Sequence, residues 1–244
     1  MTGFERQWQS RFEKFATRHR ADHLVSGWSA AGLRRRLAVF EGLIDRGLLA
    51  AGARVLELGC GAGTYVRLLA KRGHPVVGLD YSLPSLRRAA TADLPLAGGY
   101  VAGDASRLPF RSGSFQAVTC IGVLQTLEKP ETALAEIARV FEPGGVALVE
   151  TLNPWNALAA SRRLSGFIRR EPTRLHYGSP RAIERTMAAQ GLESIRRLSV
   201  LLPPRSLPGL ERTLAQPWLT RAMGIVPGVR SLAPQAYWIV GVKA

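Results

Sequence analysis

The run Val55-Leu56-Glu57-Leu58-Gly59-Cys60-Gly61-Ala62-Gly63-Thr64 constrains this chain more than any other stretch. Four residues of buried-strand character lead into three glycines at alternate positions, and Tyr65, Leu68 and Leu69 behind them keep helical spacing. Strand, glycine turn and helix in that order open a parallel α/β unit, where a ligand can lie directly on backbone outside the carboxyl end of the strand. The spacing separates cofactor classes. A dinucleotide fingerprint, G-x-G-x-x-G, needs glycine at position 64, where Thr64 stands, and no G-K-[ST] follows to grip a triphosphate.

From Arg54 onward short buried strands alternate with helices, the pattern of a doubly wound, mostly parallel sheet covered on both faces. Strands are predicted near Val55 to Leu58, Val76 to Leu79, Tyr100 to Ala102, Phe115 to Cys120, Val146 to Thr151, Ile195 to Leu201 and Tyr237 to Val242. Leu134, Ile137, Ala138 and Phe141 line a helix that starts at Pro130 and is stopped by Pro143-Gly144-Gly145. Ser179-Pro180 opens another, with Ile183, Thr186 and Met187 inward and Gly191 closing it. Ahead of the sheet, Trp8, Phe12, Phe15 and His19, then Leu33, Leu37, Phe40 and Ile44, make two amphipathic helices broken at Ser26-Gly27-Trp28-Ser29. The organisation read from this is an N-terminal helical cover over 1–50, a cofactor-binding core over 51–152, and a C-terminal cover over 153–244 that also supplies the last strands of the same domain. Pro203 to Pro234, with six prolines, reads as an irregular insertion.

At 244 residues, 46% hydrophobic and 21% charged, the composition is that of an ordinary globular domain and excludes the disordered and collagen-like classes. No run approaches the roughly 18 apolar residues of a membrane span, and the opening residues lead into charge rather than a signal core, so a cytoplasmic location is expected. Two cysteines, Cys60 and Cys120, support neither a disulfide framework nor a cysteine-based zinc site. The net charge of +15 is concentrated late: residues 1–50 carry +4, 51–152 carry +1 and 153–244 carry +10. Of the 33 basic residues 29 are Arg, a bias that weakens a nucleic-acid reading.

Asp80 lies 19 positions after Gly61 and directly follows the second strand, where a carboxylate can accept two hydrogen bonds from a ribose diol. Asp104, in Gly103-Asp104-Ala105, holds the corresponding place after the third strand and can accept from an exocyclic amine. Glycine turn, diol acceptor and amine acceptor on successive strand ends describe a pocket for an adenosine without phosphate.

These four motifs, V-L-E-L-G-C-G-A-G-T, Gly78-Leu79-Asp80-Tyr81-Ser82, Gly103-Asp104-Ala105 with Leu108-Pro109-Phe110, and Arg139-Val140-Phe141-Glu142-Pro143-Gly144-Gly145, resemble the class I S-adenosylmethionine-dependent methyltransferases. The resemblance spans about residues 53–152 and is nearest the ubiquinone and menaquinone branch. It implies a Rossmann-like sheet with an antiparallel C-terminal strand, and S-adenosyl-L-methionine as cofactor. It also implies that Glu57, Gly59, Gly61 and Gly63 surround the methionine and ribose, that Asp80 holds the ribose hydroxyls, and that Tyr81 packs on the adenine. Asp104, with Ala105 beside it, would meet the adenine amine, and Ile121 would follow at the strand-four exit. Cys60 and Cys120, ending neighbouring strands, are expected to face the cleft. The chain departs from the family at Gln116, where Asp is usual, and at Thr126, where a His is frequent.

Methyl transfer from a sulfonium is an in-line displacement, and a general base is needed only if the acceptor arrives protonated. Four histidines are available; His74 reads as structural, His19 and His23 belong to the N-terminal cover, and His176 is the candidate base because it precedes the helix after strand five. Glu171, Glu184, Glu193 and Glu211 are dispersed, so no metal is implied. Arg162-Arg163 and Arg169-Arg170, interleaved with Trp155, Leu158, Leu164, Phe167 and Ile168, fit a helix on an anionic membrane, a grip on an anionic small molecule or nucleic acid, or a solvated face. The leading reading is methylation of a small or lipid-linked acceptor, with peripheral membrane contact through the basic segment, nucleic acid disfavoured and oligomeric state open. A nicotinamide-dependent oxidoreductase and a non-catalytic cofactor-binding partner of nucleic acid or protein stand as alternatives.

Overall fold

A computed structural model describes residues 2–91, 98–156, 175–176, 178–202 and 234–243. Seven strands, β1 (Val55–Leu58), β2 (Val76–Asp80), β3 (Tyr100–Ala102), β4 (Phe115–Cys120), β5 (Phe141–Leu152), β6 (Leu192–Val200) and β7 (Ala236–Lys243), form one sheet in the order β3-β2-β1-β4-β5-β7-β6. The strands from β3 to β5 pair in parallel, and β7 runs antiparallel to both of its neighbours, β5 and β6. The Rossmann-like sheet with its antiparallel C-terminal strand is therefore present. β6 and β7, far along the chain, complete the same sheet as the core.

Chain order reverses between β1 and β4, and the register aligns the exits there. Leu58 of β1 faces Leu79 of β2 and Cys120 of β4, while Asp80 faces Ala102 of β3. Gly59, Asp80, Gly103 and Ile121 consequently emerge side by side at the switch point, the place where open α/β sheets bind ligands.

The helices are α1 (Gly3–Arg18), α2 (Asp22–Val25), α3 (Ala30–Ile44), α4 (Thr64–Lys71), α5 (Leu83–Ala90), α6 (Pro130–Val140) and α7 (Pro180–Ala189), with a 3-10 turn at Leu124–Thr126. Thr2 and Glu5 cap α1 reciprocally, and Ser29 caps α3 through the Gly32 N–H at 3.0 Å. One apolar cluster lies on the sheet face under α6, built from Leu56, Leu58, Leu134, Ile137 and Val149 among others; the opposite face packs Phe40, Tyr65, Leu69, Val76 and Trp238.

Three local expectations are corrected. The N-terminal cover is three helices, not two, because His19 caps α1 in extended conformation and the four-residue α2 intervenes before the Ser26–Ser29 break. β5 begins at Phe141 rather than Val146: Phe115 pairs with Phe141 and Ala117 with Val146, so Pro143-Gly144-Gly145 is a bulge inside the strand. β6 begins at Leu192, three residues before the expected start. The basic run Arg162 to Arg170 and nearly all of the 203–234 insertion lie outside the described residues.

Candidate functional site

The glycine turn is shaped by what surrounds it. Gly59, Gly61 and Gly63 all have positive φ, which side chains strongly disfavour. A Cβ on Gly59 would stand 2.2 Å from Val123 Cγ2, and one on Gly63 would stand 2.5 Å from the Tyr100 hydroxyl. Gly59 thus lets the β4 exit close against the turn, and Gly63 starts α4 against β3. Above the turn opens a cleft with about 630 Å³ of empty space, open solvent at its mouth included. Gly59, Gly61, Leu79, Asp80, Tyr81, Gly103, Ala105, Ile121, Gly122, Val123 and Thr126 contribute its core wall, and Phe12, Val25, Ser26 and Trp28 its outer wall.

Asp80 is the polar centre of this cleft. Its carboxylate accepts from the N–H groups of Gly61 and Ser82, each at 2.8 Å, and burial raises its pKa while those backbone donors, with Tyr81's, oppose the rise. About four acceptor positions exist on a carboxylate, so capacity remains for a donor from the cleft. Tyr81 follows. Its ring meets Phe12 of α1 at 6.5 Å between centroids, and burial raises its pKa, with the Asp80 charge adding to the rise and Thr126 opposing it. Thr126 in turn donates to the Val123 carbonyl at 2.8 Å. Where the family resemblance expects a histidine, Thr126 lines the cleft together with Tyr81.

Of the residues anticipated from sequence, Gly59, Gly61, Asp80, Tyr81, Ala105 and Ile121 meet in the cleft. Gly63 and Asp104 do not line it; Asp104 accepts from the Ser106 N–H at 2.8 Å, beside the lining residues Gly103 and Ala105. Glu57 lies beneath, 1% exposed: Oε2 accepts from the Thr119 hydroxyl, Oε1 is buried with no partner, and burial raises its pKa strongly. The thiol expectation fails. Cys120 belongs to the core cluster under α6 and Cys60 to the opposite one, neither lines the cleft, and burial pushes both thiols up. Cys60, in the turn after β1, packs its sulfur toward Gly78 of β2, and Cys120, the last residue of β4, is fully buried in the cluster under α6.

His176 is exposed and outside the cleft lining, although its backbone N–H donates to the Gln125 carbonyl at 2.8 Å and so sits beside the 3-10 turn. His74 is buried, 3.3 Å from the Ala53 carbonyl, in a structural position. The sequence reading placed a cover in the N-terminal helices but did not single out the residues of the outer wall. Trp28 belongs to the break between helices, yet a Cβ on Gly122 would stand 2.6 Å from its ring, and Arg36 stacks on it at 4.2 Å. An aromatic residue inside a Ser-Gly-x-Ser break was the available signal. Among the described residues no group of three or more His, Cys, Asp or Glu is placed to hold a metal.

Residues 56–149 match the family model of the methyltransferase domain. The chain is 42% identical over 102 residues to the demethylmenaquinone methyltransferase of Renibacterium salmoninarum, covering 40% of each chain. It is 40% identical over 111 residues to that of Mycobacterium tuberculosis, covering 45% of this chain and 46% of that one. The chain thus matches less than half the length of these curated relatives. Among solved structures, an S-adenosylmethionine-dependent methyltransferase from Mesorhizobium loti aligns with a TM-score of 0.63 at 18% identity, over 84% of this chain and 98% of that one. The magnesium protoporphyrin IX methyltransferase of Synechocystis, with bound SAH, aligns at 0.62 and 15% identity over 99% and 96%. These structures share the fold.

Proposed function

We infer that the whole chain is an S-adenosylmethionine-dependent methyltransferase whose acceptor is a small or lipid-linked molecule. The observation that carries it is Asp80 at the β2 exit, with acceptor capacity left toward a cleft floored by a glycine turn that has Thr64 in place of the dinucleotide glycine. The residues fit that cofactor. Asp80 would accept from the ribose hydroxyls, and the backbone of Gly59 and Gly61 would lie under the sugar and amino-acid portion. Tyr81, Ala105 and Ile121 would flank the base, with Asp104 at its rim. When bound, the cofactor supplies an activated methyl group.

The protein's share of the reaction is placement and dryness. Phe12, Val25, Trp28, Leu79, Ile121, Val123 and Leu127 surround the cleft with apolar surface and exclude water. Among the described residues Asp80 and Tyr81 are the ionisable side chains on that wall; Asp80 is held by backbone N–H groups and the Tyr81 ring by Phe12. The acceptor therefore enters this wall as its own nucleophile, or loses its proton to a group beyond it; His176 at the 3-10 turn is the residue to test. The relatives named demethylmenaquinone methyltransferase favour a quinol-like, lipid-linked acceptor, and the basic segment 162–170 would give it peripheral contact with an anionic membrane. Among the described residues no helix is long and apolar enough to cross one.

Calorimetric titration with S-adenosylhomocysteine, NADH and NADPH tests the cofactor. Binding of the first alone is expected; binding of a nicotinamide cofactor alone would overturn the reading in favour of an oxidoreductase. Incubating a lysate with methyl-labelled S-adenosylmethionine then tests the acceptor, with label expected in the lipid fraction and a label confined to RNA or protein counting against it.

A further inference from the structure

The cover supplies the outer wall of the cleft, so its position sets how closely a ligand seated on Asp80 is held. The cover passes close: a Cβ on Gly61 would stand 3.7 Å from Ser26 Oγ. Yet α2, which carries this part of the cover, has four residues and buries only Val25. That is too little apolar area to hold it down unaided. The polar contacts at its first residue are denser. Asp22 Oδ2 accepts from Thr64 Oγ1 at 2.7 Å and from the Arg67 guanidinium, while Oδ1 lies 3.8 Å from the Arg88 guanidinium. Arg67 also donates to the Ala62 carbonyl in the glycine turn at 2.6 Å, and Arg88 donates to the His19 carbonyl at the end of α1 at 2.8 Å. One carboxylate on the cover is therefore gripped from α4 and α5 by side chains that also hold the turn and the preceding helix end.

We propose that Asp22 is a positioning residue for the cofactor: with Thr64, Arg67 and Arg88 it forms a clasp that shuts the cover over the glycine turn and governs cofactor release. This rests on the cofactor reading above. Thr64 occupies the position where a dinucleotide fold needs glycine, and here its hydroxyl has a use that glycine could not serve. The charged side chains of the Asp22–Arg67 pair keep 22–27% of their exposure, so the clasp is open to screening by salt.

The test is stopped-flow displacement of S-adenosylhomocysteine from the full chain, comparing wild type with Asp22→Asn, Thr64→Val and Thr64→Ser, each first checked for folding by its melting curve. Losing a charge-assisted hydrogen bond should speed release about tenfold in Asp22→Asn, with a smaller rise in Thr64→Val and restoration in Thr64→Ser. Release from wild type should quicken with salt, and release from Asp22→Asn should not. Equal, salt-independent rates in every folded variant would overturn the clasp alone. Failure of the wild type to bind S-adenosylhomocysteine at all would overturn the cofactor reading and the clasp with it.

Discussion

Asp80 and Gly122 show how single residues are held to their tasks. Asp80 accepts from the backbone N–H groups of Gly61 and Ser82, so its replacement removes an acceptor from the cleft and also leaves two donors at the turn without this partner. Asp80→Ala is expected to weaken S-adenosylhomocysteine by about 1.5–3 kcal/mol, roughly ten- to hundredfold and more; equal calorimetric affinities would remove Asp80 from the site. Gly122 behaves in the opposite way. At φ +84° with the Trp28 ring 2.6 Å from a notional Cβ, it cannot accept a side chain without strain and displacement of the cleft wall. Gly122→Ala should cost about 1–3 kcal/mol in a urea melt and also lower affinity, because Trp28 must shift. The core half of the cleft was legible in sequence because it hangs on strand exits, whose order follows from alternating strands and helices. Phe12, Ser26, Trp28 and Asp22 were not, since each acquires its role from partners far along the chain.

At the scale of elements, α3 explains both a success and an error of pattern reading. A helix was expected there and is present, but the stripe Leu33, Leu37, Phe40, Ile44 is not the one most deeply buried. Gly32, Arg36, Phe40 and Leu43 are. Arg36 defeats the pattern because an arginine counts as polar in sequence, whereas here Glu150 accepts from its Nε and Nη2 at 2.9 and 2.8 Å and from Trp238 Nε1 at 2.9 Å. Burial works against the guanidinium's charge, and Glu150 outweighs it, leaving the Arg36 pKa raised. This three-element joint ties the cover helix to β5 and β7 and places Arg36 under Trp28. Glu150→Ala strands a buried cation and should cost about 3–5 kcal/mol. The double variant Arg36→Leu with Glu150→Leu removes both charges and should be less damaging than Glu150→Ala despite the orphaned indole N–H. Urea melts in which the double variant loses as much as the sum of Arg36→Leu and Glu150→Leu, each measured alone, would show that the pair is not coupled.

Over the whole molecule, the sheet gathers buried carboxyls whose protonation reaches global stability. The sheet order and its antiparallel strand could be anticipated from the strand count and the family motifs, but the protonation state of Glu57 could not, because it depends on what Thr119 and the covering helices leave around Oε1. Burial raises the pKa of Glu57 well above the ordinary range, and that of Asp80 moves in the same direction. The folded state then retains protons that the unfolded chain releases. Their contribution to stability is fully present below the unfolded glutamate pKa of about 4.3 and is lost as pH rises toward the folded value, at up to about 1.4 kcal/mol per pH unit for each proton. Glu136, whose pKa the Arg139 side chain lowers, works in the opposite sense and loses its contribution as pH falls below the ordinary carboxylate range. Ligand-free protein should therefore lose stability as pH rises above about 4.3, and Glu57→Gln, which keeps the shape and cannot ionise, should flatten that limb while leaving the acid limb in place. If urea melts across pH give the variant the wild-type slope, the retained proton is not on Glu57, and its carboxylate must instead be ionised and held by the Thr119 hydroxyl.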